Sequence, residues 1–452
     1  MPQVSAFRAI GYALDRFGTS RIPDRVRLPE EPPDHPGRVA DLTDLACPPY
    51  DVIGPEEQAA LLARDPRNAV RLELSADPDP HAAAAATLRD WLADGTLVRS
   101  TRPRLFYYAH AAPGSPDDPS VHGVLARVLL EAFGDGVRAH EHTMPGPRAD
   151  RLALLRATRT QLSPTLALYF DGSDRYRTLM SRAWTDEWRA RDGDGLLHML
   201  AAIEPDEPLA RYLSHQRLFL ADGHHRYETA LAYQAEIRAD PRWSSVPRGE
   251  LAADWVMMVL VNAEFEELEI RATHRLLRGV ETEPLQALAR GRDPFFQAIP
   301  VDPDRLPARL AERQSTPGLV VGLVLPGAAD EPVEGWLLIG GDDAVAARMA
   351  RESVTPAVRE LDLAVLQAIV LRDRLGLDPA AEAGERILYT KDPADAVGRV
   401  RSGEAQAALL VRPTRLDQLA AVATAGDVMP EKSTYFYPKL LTGMAFHPLE
   451  DA

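Results

Sequence analysis

Runs of aliphatic and aromatic residues alternate with amphipathic stretches through the middle of the chain. Short apolar runs predict strands, and these lie at residues 104–111, 121–130, 165–170, 217–221 and 255–263. Stretches whose apolar residues recur every three or four positions predict helices, and these lie at residues 149–158, 196–207 and 225–240. The alternation is typical of a mixed α/β core, which we expect over residues 104–280.

The same criteria divide the remainder of the chain into three further regions. Residues 1–103 begin as a Pro-rich segment and continue into predicted helices at 55–64 and 81–97. Residues 281–380 contain a predicted hairpin of 319–325 with 335–339 and a predicted helix at 359–375. Residues 381–452 alternate strand and helix at 386–389, 393–402, 407–411 and 415–424. We therefore predict an α/β (α+β) fold with additional N-terminal and C-terminal regions around the core.

Composition narrows the kinds of partner that the protein can have. The 452 residues are 45% hydrophobic and 26% charged, as in globular proteins, and the formal net charge is −16. Nucleic-acid-binding surfaces are basic, so this charge argues against a nucleic-acid partner. The single cysteine, Cys47, cannot form a disulfide within the chain, and the sequence shows no signal-peptide layout and no apolar run of membrane-spanning length. We expect a cytoplasmic protein with no membrane partner.

The strongest candidate site lies in residues 217–230, RLFLADGHHRYETA. An apolar strand runs into Asp222 and Gly223, and a helical pattern follows at once. Such a junction directs backbone N–H groups and the positive end of the helix outward, which suits an anion. The first helical turn adds three side-chain donors, namely His224, His225 and Arg226. We expect Arg226 to grip a phosphate through two parallel hydrogen bonds.

Two other interpretations of this segment stand beside the anion site. In the first, Asp222 is an N-cap and the histidines are ordinary surface or core groups. In the second, the histidines bind a metal ion. The metal interpretation is the weaker one, because adjacent histidines on a helix do not face the same direction.

A second candidate segment covers residues 138–159, RAHEHTMPGPRADRLALLRATR. In it His140 and Glu141 precede a helical pattern that contains Arg151. A carboxylate such as Glu141 can accept a proton if it is held near an attacking oxygen. Arg151 is a candidate ligand for phosphate or carboxylate. The alternative is that Glu141 is a solvated charge that flanks the helix.

Acidic residues cluster at the end of the apolar run 255–263 and just after it. The oxygen-bearing side chains are Asn262, Glu264, Glu266, Glu267 and Glu269. Hard oxygen ligands of this kind suit Mg²⁺ carried by a nucleotide. A solvated acidic loop is the commoner explanation of such a cluster.

Lysine is rare in this chain, and its placement marks a third segment. Only three of the 51 basic residues are lysines, and two of them, Lys432 and Lys439, lie in residues 430–439, PEKSTYFYPK. A compact ammonium group suits point-charge contact with phosphate or carboxylate. We predict that both lysines bind the substrate together with Ser433 and Tyr435. Simple packing is the alternative for the tyrosines.

The first two candidate segments resemble the conserved boxes of the ParB/sulfiredoxin superfamily. ADGHHRYETA resembles the second box, and its Asp-Gly-His-His-Arg form is most similar to that of the free-serine kinases of the superfamily. Residues 138–159 resemble the first box. The resemblance implies a ParB/sulfiredoxin-like core, nucleotide phosphates seated at residues 222–226, and Glu141 as the base on the substrate hydroxyl. The spacing between the boxes exceeds that of compact relatives, which implies insertions between them.

Over its whole length the chain also resembles a widespread bacterial family of unknown function. The matching segments are ACPPYDVI (46–53), HEHTMPGPRADRLALLRAT (140–158), LADGHHRYETAL (220–231), VNAEFEELEIRATHRLL (261–277) and MPEKSTYFYPKLLTGM (429–444).

These features together favour a small-molecule kinase. We expect ATP or ADP as the phosphoryl donor, with Mg²⁺, and a hydroxyl of serine or a serine-like metabolite as the acceptor. The expected catalytic residues are Glu141, His140 and His225. Positioning and electrostatic stabilisation supply most of the rate in phosphoryl transfer, so a cradle rich in donors is the expected apparatus. The alternatives are a phosphatase for a phosphorylated hydroxy or amino acid and a ParB-like nucleotide-binding switch.

Overall fold

A computed structural model of the protein describes residues 1–17, 38–113, 119–134, 136–141, 145–173, 175–180, 184–203, 207–327 and 332–450. The chain forms two compact units. The first unit consists of Met1–Ala139, Thr143–Leu268 and Pro438–Ala452, and the second of His140–His142 and Glu269–Tyr437. None of the helices within the described ranges is long and apolar enough to cross a membrane.

A mixed sheet forms the centre of the first unit. Over the described residues it has ten strands, one of which, Val4–Ser5, pairs with Val121–Leu129 at the side of the main path. From edge to edge the other strands are Arg38–Asp41, Trp184–Arg191, Leu197–Ile203, Leu105–Ala111, Val121–Leu129, Trp255–Asn262, Thr165–Tyr169, Leu218–Asp222 and Val137–Arg138. Trp255–Asn262 runs parallel to Thr165–Tyr169 and antiparallel to Val121–Leu129.

The apolar runs of the sequence become the central strands because both faces of the sheet are covered. Every residue of Leu105–Ala111 and of Trp255–Asn262 is buried. A strand that is buried on both faces needs apolar side chains throughout, without alternation. Two smaller strand pairs complete the sheets of this unit, Ile10–Tyr12 with Leu97–Arg99 and Thr160–Gln161 with His447–Pro448.

The helices of the first unit begin where the local sequence favours a helix start. Pro55 and Pro80 occupy the first helical position, where a missing N–H has no consequence. Asp79 accepts a hydrogen bond from Ala82 N and caps the helix that follows it. The α-helices are Leu14–Phe17, Pro55–Arg64, Val70–Glu73, Pro80–Ala93, Pro145–Thr158, Arg175–Met180, Glu207–Ser214 and His224–Ala239, and Tyr50–Val52 and Ala252–Asp254 are short 3-10 helices.

An antiparallel sheet forms the centre of the second unit. In the described residues it has six strands, in the order Phe296–Pro300, Glu334–Gly340, Val320–Leu325, Ala407–Val411, His274–Leu277 and Ile387–Thr390. A separate pair joins Glu269–Arg271 to Tyr435–Tyr437. The α-helices are Glu283–Ala289, Leu306–Ala311, Asp342–Met349, Pro356–Arg359, Asp362–Val365, Pro379–Glu382, Pro393–Arg401 and Leu416–Thr424, and Leu366–Arg374 is a π-helix.

The predicted mixed α/β class is confirmed, and so is the predicted hairpin, which forms between Val320–Leu325 and Glu334–Gly340. The helix predicted at residues 196–207 is wrong, because Leu197–Ile203 is a fully buried strand. Its leucine, methionine and alanine side chains favour a helix locally, but pairing with Leu105–Ala111 overrides that preference. The helix predicted at 359–375 is interrupted and ends in the π-helix.

Asp254 ties the end of the helix His224–Ala239 to the sheet. The carboxylate is fully buried and accepts hydrogen bonds from Arg238 Nε at 3.0 Å, Gln234 Nε2 at 3.0 Å and Gly249 N at 2.8 Å. Burial alone would raise the pKa of Asp254, but the hydrogen bonds from Arg238, Gly249 and Gln234 outweigh it and lower the pKa. The stabilisation is therefore present at neutral pH and is lost as pH falls through the lowered pKa of the folded state.

We predict that Asp254→Asn lowers the free energy of unfolding by about 3 kcal/mol, because it leaves the Arg238 guanidinium without its buried counter-charge. Urea denaturation followed by tryptophan fluorescence measures the change. Asp240→Asn is the control, since its ion pair with Arg242 lies at the surface, and its denaturation midpoint should match that of the wild type. Equal midpoints for the two variants would show that the Asp254 network does not hold the helix.

Candidate functional site

The strand–turn–helix junction predicted from the sequence is present in the first unit. The strand Leu218–Asp222 ends at Gly223, which has φ 87° and ψ 31° and serves as the N-cap of the helix His224–Ala239. In the described structure no side chain caps this helix. A Cβ atom at Gly223 would lie 2.9 Å from Thr165 Cγ2 and 3.0 Å from Arg226 Nε, so the position requires glycine for space as well as for conformation.

The carboxylate of Asp222 lies between two cations. One oxygen, Oδ2, accepts a hydrogen bond from Arg226 Nη2 at 2.5 Å, and the other, Oδ1, pairs with the Lys439 ammonium. The Lys439 and Arg226 side chains are 9% and 11% exposed. Burial opposes the charge of Asp222, but the attraction of Lys439 and Arg226 outweighs it and lowers its pKa well below the ordinary value. The carboxylate therefore stays ionised, and the three groups carry a net positive charge.

The side chain of Arg226 does not present the open fork that the sequence predicted. Nη1 donates to the Pro164 carbonyl and Nη2 to Asp222, so each terminal nitrogen already makes one hydrogen bond. Asp222 lies four residues before Arg226, so its carboxylate is within reach of the guanidinium, which folds back over Gly223. The guanidinium is therefore not oriented to bind phosphate through two parallel hydrogen bonds. A guanidinium has five N–H donors, and three of those of Arg226 remain.

The two histidines of the motif differ in burial. His224 is 9% exposed, whereas His225 is half-buried. Attraction by His224 also contributes to the lowered pKa of Asp222. His225 is thus the more accessible of the two imidazoles at this end of the helix.

Arg151, another predicted anion ligand of the first unit, is 8% exposed and has two acidic neighbours. Its Nε donates to Asp150 Oδ2 at 2.9 Å, and its Nη1 donates to the Glu73 carbonyl at 2.9 Å. The guanidinium carbon lies 4.2 Å from the centroid of the Tyr50 ring. The side chain is thus held in place by its neighbours, as a preorganised ligand requires.

The second unit brings Glu141 together with the Lys432 end of the lysine-bearing segment. Glu141 Oε1 accepts a hydrogen bond from Lys432 N at 2.9 Å, and Lys432 has a positive φ of 57°. His140 is fully buried, and its Nε2 lies 2.9 Å from Thr434 Oγ1. The backbone hydrogen bond from Met429 N to His140 O, at 2.7 Å, joins the same two segments. Residues predicted separately, almost 300 positions apart, are therefore neighbours in this unit.

Ser433 and Tyr435 have structural contacts of their own in the second unit. Ser433 is 3% exposed and its Oγ donates to the Pro430 carbonyl. The Lys391 ammonium lies over the Tyr435 ring, 3.7 Å from the ring centroid. Arg275 donates to the carbonyls of Glu431 and Lys432 at 3.1 and 3.2 Å. Burial lowers the pKa of Arg275 to about 10 although Tyr389 and Glu141 attract its charge, so it remains cationic at neutral pH.

The acidic strand end considered for Mg²⁺ is partly occupied by other contacts. Glu266 is 6% exposed and accepts hydrogen bonds from Tyr176 OH and, at 2.7 Å, from His122 N. Asn262 exchanges hydrogen bonds with the backbone of Asp171 at 2.9 and 3.2 Å. Throughout the described ranges, no group of three or more His, Cys, Asp or Glu side chains is placed to hold a metal ion. These two side chains therefore do not fit a Mg²⁺ site.

Three residues near Arg226 were not singled out from the sequence as site residues. These residues are Tyr50, Asp51 and Glu73. Burial alone would lower the pKa of Arg226, but the attraction of these three residues and of Asp222 outweighs burial and raises the pKa. Tyr50 and Asp51 belong to the segment ACPPYDVI, which could have pointed to them. Nothing in the local sequence marks Glu73, which lies in the short helix Val70–Glu73 and is only 2% exposed.

Comparison with protein families assigns the chain to a family. The family described as "Protein of unknown function (DUF1015)" matches residues 31–364, which is well over half of the sequence. The chain belongs to the DUF1015 family. The predicted membership of a family of unknown function is thereby confirmed. A search of curated proteins gave no match for this DUF1015 chain.

Several solved structures align with a large part of the DUF1015 chain at low similarity. A conserved hypothetical protein from Pyrococcus furiosus has 12% identity and a TM-score of 0.35, with 69% of this chain and 93% of that chain covered. A free serine kinase in complex with AMP has 12% identity and a TM-score of 0.35, with 68% and 89% covered. SbnI from Staphylococcus aureus, truncated at its C-terminus, has 12% identity and a TM-score of 0.32, with 69% and 85% covered. Sequence identities and TM-scores this low assign neither a fold nor an activity to the DUF1015 chain.

We predict that Gly223→Ala destabilises the first unit by about 1–2 kcal/mol, because alanine is strained at this positive φ and its Cβ meets Thr165 and Arg226. Thermal unfolding measured by calorimetry gives the difference. Gly172→Ala is the matched control, since open space surrounds that position and its φ is not positive. If Gly223→Ala melts at the same temperature as Gly172→Ala, the turn does not need glycine.

Proposed function

We propose that the protein is a phosphotransferase that uses ATP or ADP to phosphorylate a hydroxyl of serine or a serine-like metabolite. The observation that carries the proposal is the group of Arg226 and Lys439 around Asp222 at the start of an uncapped helix. The positive end of the helix and the two cations attract the same kind of ligand, an anion with several oxygens. The sequence resemblance to the free-serine kinases supports a nucleotide as that ligand.

The reaction follows from ordinary phosphoryl-transfer chemistry. The acceptor hydroxyl oxygen forms a bond to the terminal phosphorus of the nucleotide, and the bond from that phosphorus to its bridging oxygen breaks. The hydroxyl proton passes to a carboxylate, and the shortened nucleotide leaves with the bridging oxygen. The transferring group carries negative charge throughout, so fixed cations such as Arg226 and Lys439 stabilise it.

Glu141 is the proposed base, and His140 is a proposed positioning residue. Within the second unit the Glu141 carboxylate is oriented by Lys432 N, while the buried His140 imidazole holds Thr434. His140 is fully buried, which favours support of the Glu141 segment over direct contact with substrate. Lys432, Ser433, Tyr435 and Arg151 are proposed to bind the acceptor, and His225 is proposed to assist at the phosphate.

A Mg²⁺ ion that accompanies the nucleotide would neutralise part of the phosphate charge. Glu266 and Asn262 of the acidic strand end are not proposed as its ligands, since they are occupied by other groups. The steps assigned above to side chains of this protein do not depend on the ion.

We predict that Arg226→Ala weakens nucleotide binding at least about 30-fold, because it removes a largely buried cation from the proposed phosphate site. Glu141→Gln should leave nucleotide binding unchanged and lower kcat by about 100-fold or more, as expected for loss of a general base. Isothermal titration with ATP and ADP measures the binding. Mass spectrometry of the phosphorylated acceptor, with L-serine supplied, measures turnover.

Arg211→Ala is the matched control, since this arginine is 72% exposed on another helix of the first unit. It should bind and turn over like the wild type. The same assay with O-phospho-L-serine and no nucleotide tests the phosphatase alternative. Release of inorganic phosphate in that mixture, without nucleotide-dependent transfer, would contradict the kinase proposal, as would unchanged nucleotide binding by Arg226→Ala.

A further inference from the structure

A small cavity lies beside Arg226 in the first unit. Its volume is about 50 Å³, and its polar lining includes Glu73, Arg151, Ser163, Thr229 and Arg226. One ordered water needs about 10–15 Å³ of such space, so the cavity has room for only a few heavy atoms. That is the size of an amino-acid headgroup, meaning its α-amino and α-carboxylate groups. A nucleotide base or a ribose is too large for it.

The carboxylate of Glu73 has unused acceptor capacity in this cavity. Glu73 is 2% exposed, and its contacts within the described residues are a hydrogen bond from Ser163 Oγ at 3.3 Å and an ion pair with Arg151 at 3.7 Å. Both distances are long for groups that compensate a buried charge, which ordinarily receives close hydrogen bonds. A ligand with N–H donors would supply what the protein leaves unsatisfied.

Thr229 gives a second and independent indication of a ligand. This residue is 3% exposed, and its Oγ1 is buried without a hydrogen-bond partner among the described residues. Buried hydroxyl groups are almost always hydrogen-bonded, because an unsatisfied one lowers stability. Thr229 lines the same cavity as Glu73, so a single small ligand could satisfy both.

The charges around the cavity limit the chemical class of that ligand. A simple anion would be repelled by Glu73, and a simple cation would be repelled by Arg151 and Arg226. A zwitterion matches both signs, with its ammonium group at Glu73 and Thr229 and its carboxylate at the guanidinium groups. The Arg151 guanidinium is fixed by Asp150 and Tyr50, so the carboxylate would meet a preorganised donor.

We propose that this cavity binds the α-ammonium and α-carboxylate groups of an amino-acid acceptor and that Glu73 determines selectivity for the ammonium group. The proposal rests on the phosphotransferase function and deepens it by fixing the acceptor class as an α-amino acid. An acceptor whose headgroup is bound beside Arg226 lies next to the proposed phosphate site of the same unit.

The test compares L-serine with L-glycerate, in which a hydroxyl replaces the ammonium group at the same configuration, by isothermal titration of the full chain. We expect the wild type to bind L-serine at least about 30-fold more tightly than L-glycerate, as for a desolvated charge pair. Glu73→Gln should abolish this preference while the affinity for ADP stays within about 3-fold of the wild-type value. Glu266→Gln is the control, because it makes the same change at a buried glutamate outside the cavity, and it should keep the preference.

Thr229→Val keeps the test decisive if Glu73→Gln fails to fold. Its melting temperature should equal or exceed that of the wild type, since no hydrogen bond is lost in the free protein, while its affinity for L-serine should fall about 5-fold. The proposal is overturned if Glu73→Gln or Thr229→Val binds L-serine like the wild type, or if the wild type binds L-serine no better than L-glycerate. Failure of the wild type to bind any nucleotide would instead remove the phosphotransferase function.

Discussion

The ion pairs of Asp222 join three parts of the first unit, and one of these parts is distant from the others along the chain. Its carboxylate ends the strand Leu218–Asp222, holds Arg226 in the first turn of the next helix, and holds Lys439, which lies 217 residues further on. A largely buried carboxylate would be strongly unfavourable alone, and two largely buried cations would repel each other. Each group is tolerated because the others are present. The geometry of the proposed phosphate site thus depends on this cluster as a whole.

This arrangement gives a strongly acidic protein a locally positive group, as the proposed anion site requires. The chain has a net charge of −16, yet Arg226, Lys439 and Asp222 together are positive and lie at the positive end of a helix. Electrostatic interactions are strong at short range where water is excluded and are screened at longer range, so the local charge decides what binds. The rarity of lysine fits this picture, because Lys439 is one of only three in the sequence.

The parts of the structure set by local chemistry could be predicted from the sequence. The proline at position 55 starts its helix, and Gly223 permits the turn before the helix His224–Ala239. Leu197–Ile203 could not be recognised as a strand, because its side chains favour a helix and only pairing with Leu105–Ala111 makes it a strand. Local preference is informative where tertiary contacts do not oppose it.

The site was predictable to a similar extent and for the same reason. The motif around Arg226 can be recognised in the local sequence. The hydrogen bond that Arg226 donates to the Pro164 carbonyl, in contrast, follows from the fold alone. Glu73 lies about 150 residues earlier in the sequence and has no motif of its own, so its place beside Arg226 emerges only when the chain folds. Long-range charge pairing of this kind is invisible to periodicity and spacing.

The most direct test of this account is a crystal structure of the protein with ADP. The account predicts that the phosphate oxygens lie at the start of the helix His224–Ala239, within hydrogen-bonding distance of Arg226 or Lys439. Phosphates bound elsewhere in the molecule, with the ion pairs of Asp222 unchanged and remote from the nucleotide, would contradict it.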